Sequence, residues 1–252
     1  MNRPQRHWDA RAALNFMLGG SGAGLMAAAA LIAPPSPWPL GCAAALIAIG
    51  LTAVWLEIGK KSRALHVLFN PYTSWMARES FAALLLFPLA LGSILSLRLI
   101  PAAAMAALVF LWCQARILRA ARGIPAWRAP QIVPLVMSTG LAEGAGLALF
   151  FSHRPLLLAL FALAVVARAW AWLRYDAATK TAALTRAGKS LLAIGTAGAL
   201  ACAVLAVDSA MFAWLAAIAV VATGWRLKFA LVTRASAYQG FSLPHLPVRG
   251  AR

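Results

Sequence analysis

Residues 14–33 read LNFMLGGSGAGLMAAAALIA, a span-length segment without a charge. Arg3 and Arg6 precede it, which is also how a secretory signal peptide begins. The rest of the chain decides between a leader and a retained helix. Further apolar runs follow at 38–58, 80–98, 100–118, 131–151, 155–173, 190–207 and 210–231. Each is close to the roughly 20 residues that cross about 30 Å of hydrocarbon in helical conformation. The first run is therefore a retained span, and the expectation is an all-α, polytopic membrane bundle of about eight transmembrane helices. It forms one membrane domain over 1–252, with a tail at 232–252. The breaks RLIP and VDSAM are short, and a re-entrant hairpin at either would reduce the count to six. The ten-residue alternating segments of a transmembrane barrel are absent.

Composition agrees. Hydrophobic residues make up 63% of the 252 and charged ones 12%, against roughly 45–50% and about 25% in soluble domains. That much apolar surface must meet lipid. In an eight-span arrangement the basic residues of the N-terminal segment, of 59–79, 116–130 and 168–189, and of the C-terminal end all fall on one side. Only Arg98 and Arg154 fall on the other. This bias puts both termini, and Arg78 and Glu79, in the cytoplasm. A net charge of +17 spread over loops and helix ends points to anionic headgroups of membrane lipids or an acidic partner protein, and to no nucleic acid.

Several chemistries are set aside. Cys42, Cys113 and Cys202 lie in apolar runs without CxxC or Cys/His spacing and read as small buried hydrophobes, so no cluster or disulfide scaffold is expected. His7, His66, His153 and His245 sit at polar ends, loops or boundaries. No pair faces another across a haem plane, so no haem is expected in this chain. The longest loops, about 59–79 and 174–189, have no room for a catalytic domain, and no Walker motif, dinucleotide fingerprint or HExxH occurs.

What remains is a short polar inventory. Glu57 closes the second run, Glu79 opens the third within TSWMARES (73–80), and Glu143 lies inside the fifth, in MSTGLAEGAGLALF. Intramembrane carboxylates are costly and usually face a cavity or a partner. Glu143 reads either as a hydrogen bond across the bundle or as a ligand or proton-path group. Arg78 and Glu79 read either as an interfacial ion pair or as part of a site in which one loop returns Glu57 and Glu79 to the same rim. The glycines of GGSGAG and STGLAEGAG suit close helix contacts.

IGKKSRALHVLFNPYTSWMARESF (58–81) resembles the HLG…RA…TSW.SRE signature of the membrane-anchor subunits of dimethyl sulfoxide reductases. LKFALVTRASAYQGFSLPHLPVRG (227–250) is similar to the C-terminal segment of anchors in related molybdopterin oxidoreductases. The resemblance implies a quinone-interacting anchor that passes electrons between a four-cluster iron–sulfur subunit and the quinone pool, ubiquinone or menaquinone. Molybdopterin and the clusters would reside only in the partner subunits. The signature glutamate falls at Glu79, with Arg78 beside it and Ala77 in place of the motif serine; the motif histidine falls at Glu57. The resemblance thus implies Glu79 and Glu57 as proton-exchanging groups, with Trp75, Arg78, Tyr238 and Gln239 as further quinone contacts. For the last two, docking of the iron–sulfur subunit is the alternative. Inside-facing motifs put the catalytic partners in the cytoplasm of a bacterium, on its inner membrane. The resemblance leans to the phenylacetyl-CoA:acceptor or sulfite-oxidising type. From another class, a proton-coupled secondary transporter would use Glu57, Glu79 and Glu143, although no internal repeat is evident. A scaffold without redox function leaves the two-part signature unexplained.

Overall fold

The computed structural model describes residues 3–4, 8–32, 36–57, 61–207 and 209–239, without the side chains of 3–4, 57, 61–64 and 238–239. It is an all-helical bundle whose eight apolar helices are α1 (Ala10–Ala29), α2 (Pro37–Glu57), α3 (Trp75–Leu95), α4 (Ile100–Ala120), α5 (Ile132–Ala148), α6 (Pro155–Thr179), α7 (Ala182–Leu205) and α8 (Ala210–Arg234). Seven are long and apolar enough to cross a membrane; α5, with 17 residues, is the shorter one. The chain is thus a multi-pass membrane protein. Two short strands, β1 (Arg3–Pro4) and β2 (Tyr238–Gln239), pair antiparallel and bring the two ends of the described chain together on one face. The pairing fits an even number of crossings. We call this the basic face.

The interior helices are α1 and α5. Of an 18-residue apolar stretch of α1, 83% is buried within the bundle, against 28% of the corresponding stretch of α2. The reason is in the sequence: α1 and α5 meet through glycines. A Cβ on Gly144 would lie 1.9 Å from the Gly24 carbonyl carbon, and one on Gly24 2.0 Å from the Gly140 carbonyl oxygen. Only hydrogen at these positions allows the two backbones to touch, as small residues do in membrane helix pairs generally.

The apolar core is divided in two. One cluster holds Ala23–Ala29 residues of α1, Ala142–Ala148 residues of α5, Leu157–Val165 residues of α6 and Ala213–Val220 residues of α8, with Ile32 and Leu149 just past the ends of α1 and α5. The other, toward the basic face, holds Phe16 of α1, Leu135 of α5, Trp172 of α6 and Leu227 of α8, with Trp127 among them. On each of these helices a buried polar residue falls between the clusters: Ser21, Thr139, Arg168 and Thr223.

Three boundaries differ from the sequence reading. Residues 174–189 are not a loop: α6 continues to Thr179 and α7 starts at Ala182. The reversal is made at Lys180, whose left-handed backbone (φ 46°, ψ 43°) lets its N–H cap the Asp176 carbonyl at 2.8 Å. Next, α3 begins at Trp75 rather than at residue 80, because Ser74 acts as N-cap, its hydroxyl accepting from the Ala77 N–H at 3.3 Å. Finally, α8 runs through a π-helical turn to Arg234, past the expected start of the tail at 232. The cysteines also differ from one another. Cys113 is buried and Cys202 half-buried, but Cys42 faces outward from α2, on the peripheral helix where a small apolar side chain can meet lipid.

Candidate functional site

Two polar sites lie at different depths below the basic face. The shallower is built around Glu79, in the second turn of α3 and 5% exposed. Its Oε1 accepts from Asn15 Nδ2 at 3.3 Å, and Gln114 Nε2 of α4 donates to the Asn15 carbonyl at 3.1 Å. Asn15 opens a π-helical turn, Asn15–Gly19, whose wider backbone departs from the α-helical ladder. Toward the surface stand two tryptophans, Trp75 and Trp112, edge to face with ring centres 4.9 Å apart. The guanidinium groups of Arg78 and Arg116 stack on Trp75 at 4.2 and 4.6 Å, a geometry that attracts a cation to an aromatic face.

Arg78 and Glu79 are not an ion pair. On consecutive residues of a helix the two side chains diverge by about 100°, and here they separate completely. Arg78 turns back to the loop, its Nε and Nη2 donating to the carbonyls of Pro71 and Tyr72 at 2.8 and 2.6 Å, while Glu79 turns into the bundle. Arg78 therefore fixes the loop entering α3. Glu57 ends α2, joined to α3 through the short 3₁₀ segment Lys61–Phe69. Its side chain lies outside the described residues, as do those of Tyr238 and Gln239, whose backbone forms β2.

The deeper site crosses the middle of the bundle. Ser21, Glu143, Arg168 and Thr223 each lie eleven residues from the basic-face end of their helix, at Ala10, Ile132, Thr179 and Arg234 respectively. At about 1.5 Å per residue this is roughly 16 Å, half of a ~30 Å hydrocarbon layer. Glu143 is 0%, Arg168 0% and Lys228 2% exposed. Glu143 Oε2 accepts from both Lys228 Nζ and Ser21 Oγ at 2.6 Å. The Ser21 hydroxyl in turn accepts from Trp225 Nε1 at 2.8 Å. Arg168 takes no carboxylate. It donates to the Val220 carbonyl at 2.9 Å and to the carbonyl of Gly195, which the π-helical segment Ala193–Gly198 releases from α-helical pairing.

Glycine makes room for each of these charges. A Cβ on Gly224 would lie 2.3 Å from Glu143 Oε1, one on Gly195 2.8 Å from Arg168 Nη2, and one on Gly20 2.4 Å from Lys228 Nζ. The same Gly20 position is 3.6 Å from Gln114 Oε1, so the shallow and deep sites approach each other across one bare stretch of α1.

Of the residues expected from sequence, Trp75, Arg78 and Glu79 share one neighbourhood. The deep layer was only partly foreseen, through Glu143. Arg168 and Lys228 count as loop charges in the topology reading, yet both are buried inside the bundle. The signal was present: Arg168 stands in FALAVVARAWAWL with apolar residues on both sides, and Lys228 in LKFALV. Asn15, Gln114 and Arg116 likewise gave no motif. Among the described residues no group of three His, Cys, Asp or Glu is placed to hold a metal ion. No protein-family model and no curated protein matches the chain.

Proposed function

We propose that the chain is the quinone-interacting membrane anchor of a molybdopterin/iron–sulfur oxidoreductase, passing electrons between a four-cluster iron–sulfur subunit and the quinone pool. The observation that carries this reading is the surroundings of Glu79. A buried carboxylate lies below two tryptophans and two guanidinium groups, within the TSWMARES segment on which the resemblance rests. The residues fit a quinone ring. Trp112 offers an apolar face at the boundary where such rings are favoured, Trp75 holds the two guanidinium groups, and Arg116 brings a buried Nε–H that has no acceptor among the described residues. That N–H can donate to a carbonyl oxygen, a role that the tethered Arg78 is poorly free to take. When bound, a quinone supplies two carbonyls that take up electrons and protons. Glu79 would hold the transferable proton on its carboxyl group, oriented by Asn15, and Glu57 would serve as a second proton group at the same rim. Arg78 positions Trp75, and β2 with Tyr238 and Gln239 belongs to the face that meets quinone or the iron–sulfur subunit. The positive charge bias supports a cytoplasmic basic face on a bacterial inner membrane.

A second reading, a proton-coupled secondary transporter, has its own supporting observation. The Glu143–Lys228 pair lies near mid-membrane beside α-helices interrupted by π turns, and transporters bind substrate at midplane between discontinuous helices.

Purification of the complex from its native membrane tests both. The first reading expects the chain to come with a molybdopterin and an iron–sulfur subunit. In that complex Glu79→Gln should lower quinone-linked turnover tenfold or more while an artificial acceptor that bypasses the anchor is reduced at the normal rate; proton transfer by a positioned group contributes about 10²–10⁴-fold. A normal quinone rate in Glu79→Gln, or loss of both rates through dissociation, removes Glu79 from the proposed role. A chain that purifies without redox partners and moves a solute favours the transporter.

A further inference from the structure

A cleft of about 670 Å³ opens between the basic-face ends of α1, α7 and α8, apart from the Glu79 neighbourhood. Its wall carries three arginines, Arg186, Arg226 and Arg234, and no acidic residue. None of the three holds a side-chain hydrogen bond or ion pair among the described residues. All three side chains are exposed. The remaining surface is apolar or amphipathic, with Met17, Phe229 and Trp225. Unpaired cations gathered on one wall repel one another and are stabilised by an anion. Guanidinium groups recognise phosphate oxygens through paired N–H donors. Counted from Ala182 and Arg234, the cleft reaches inward as far as Trp225, nine residues and roughly 13 Å from the end of α8. That depth lies below the headgroup boundary, where an ion from solution would lose its water but the glycerol and first methylenes of a lipid are at home.

We infer that this cleft is a binding site for the phosphate headgroup of an anionic phospholipid, held by Arg186, Arg226 and Arg234 with its glycerol end against Met17 and Phe229. A free phosphate shares the recognition chemistry, but only the lipid uses the apolar part. Basic pockets between transmembrane helices take anionic headgroups in this manner. The site is joined to the interior through one residue: Trp225, in the cleft wall, donates its indole N–H to Ser21, which binds Glu143. The inference depends on the membrane location and not on the quinone reading.

The test uses the full-length chain, purified in neutral detergent and stripped of lipid. It is offered palmitoyl-oleoyl-phosphatidylglycerol, palmitoyl-oleoyl-phosphatidylcholine or inorganic phosphate, with retained lipid measured by native mass spectrometry. The phosphatidylglycerol is expected to remain bound at one saturable site and the phosphatidylcholine to be lost. In R186Q/R226Q/R234Q the affinity for phosphatidylglycerol should fall on the order of a hundredfold, from three basic contacts near an anionic group. The charge-matched variant R122Q/R174Q/K180Q, changed at exposed positions elsewhere on the same face, should keep it. Millimolar inorganic phosphate should not displace the lipid. Equal retention of the two lipids, or equal loss in both variants, overturns the site. Saturable phosphate binding without lipid retention also overturns it, as does an acidic protein segment cross-linking to the cleft in place of lipid. If the triple variant fails to fold, the single change Arg234→Gln at the cleft mouth takes its place, with a several-fold loss expected and none refuting the inference.

Discussion

Removing the cation from the mid-bundle pair is the sharpest perturbation of this fold. Lys228→Met keeps an unbranched chain of similar length in the same space, so packing changes little while the charge disappears. Glu143 then keeps only the Ser21 hydroxyl, because the Arg168 guanidinium is engaged by the carbonyls of Val220 and Gly195. The pair is 2.6 Å long, with side chains 2% and 0% exposed, so no solvent compensates. Breaking a pair of this kind by deleting one partner costs about 3–5 kcal/mol. For a chain of this size roughly 2–4 °C of Tm is lost per kcal/mol, so the variant should melt some 6–20 °C below the parent. Glu143→Gln should cost less, since the amide still binds Ser21 but leaves an ammonium buried. The double variant Glu143→Gln/Lys228→Met removes both charges and should recover much of the loss. Thermal unfolding of all four proteins in one detergent, monitored by size-exclusion chromatography after heating, gives the cycle. If Lys228→Met leaves Tm unchanged, or the double variant falls by the sum of the two single losses, the pair is not the coupled unit described.

Gly144→Ala should lower Tm, because its methyl group would lie 1.9 Å from the backbone of Gly24, and overpacking of this kind costs about 1–3 kcal/mol. Gly41→Ala, whose added methyl meets nothing within 4 Å, should be neutral or slightly stabilising in the same melt. A reporter fused after Arg252 and a cysteine placed at Arg154 should report opposite sides of the membrane, the fusion cytoplasmic; an external fusion reverses the proposed orientation.

The positions of the helices were largely legible in the sequence because span length and apolar content are imposed by the bilayer on each segment separately. Their ends were not. Lys180 turns the chain in two residues inside a stretch rich in charges, and Ser74 starts α3 among residues that look like loop. Glu79 stood out as a candidate because of the segment around it, and the structure buries it in the bundle. Its partners did not stand out, since Asn15 and Gln114 come from helices far away in sequence and each is an unremarkable amide in its own run. Arg168 and Lys228 were misread for a general reason: a cation near the end of an apolar run looks the same whether its helix stops there or continues. Only the continuation of α6 to Thr179 and of α8 to Arg234 places them inside.

The partners of Glu143 also bear on how the protein is made. Ser21 is supplied by α1 and Lys228 by α8, while synthesis proceeds from the N-terminal end at about 5–20 residues per second. From the moment α5 leaves the ribosome until α8 follows it, some 80 residues and several seconds later, Glu143 has no ammonium group to meet. During that interval α5 is short, carries a carboxylate at its middle, and is poorly suited to stand alone in lipid. A chain truncated before α8 would keep that acid without its ammonium partner. α8, synthesised after the other seven helices, thus completes the electrostatics of the bundle at its centre.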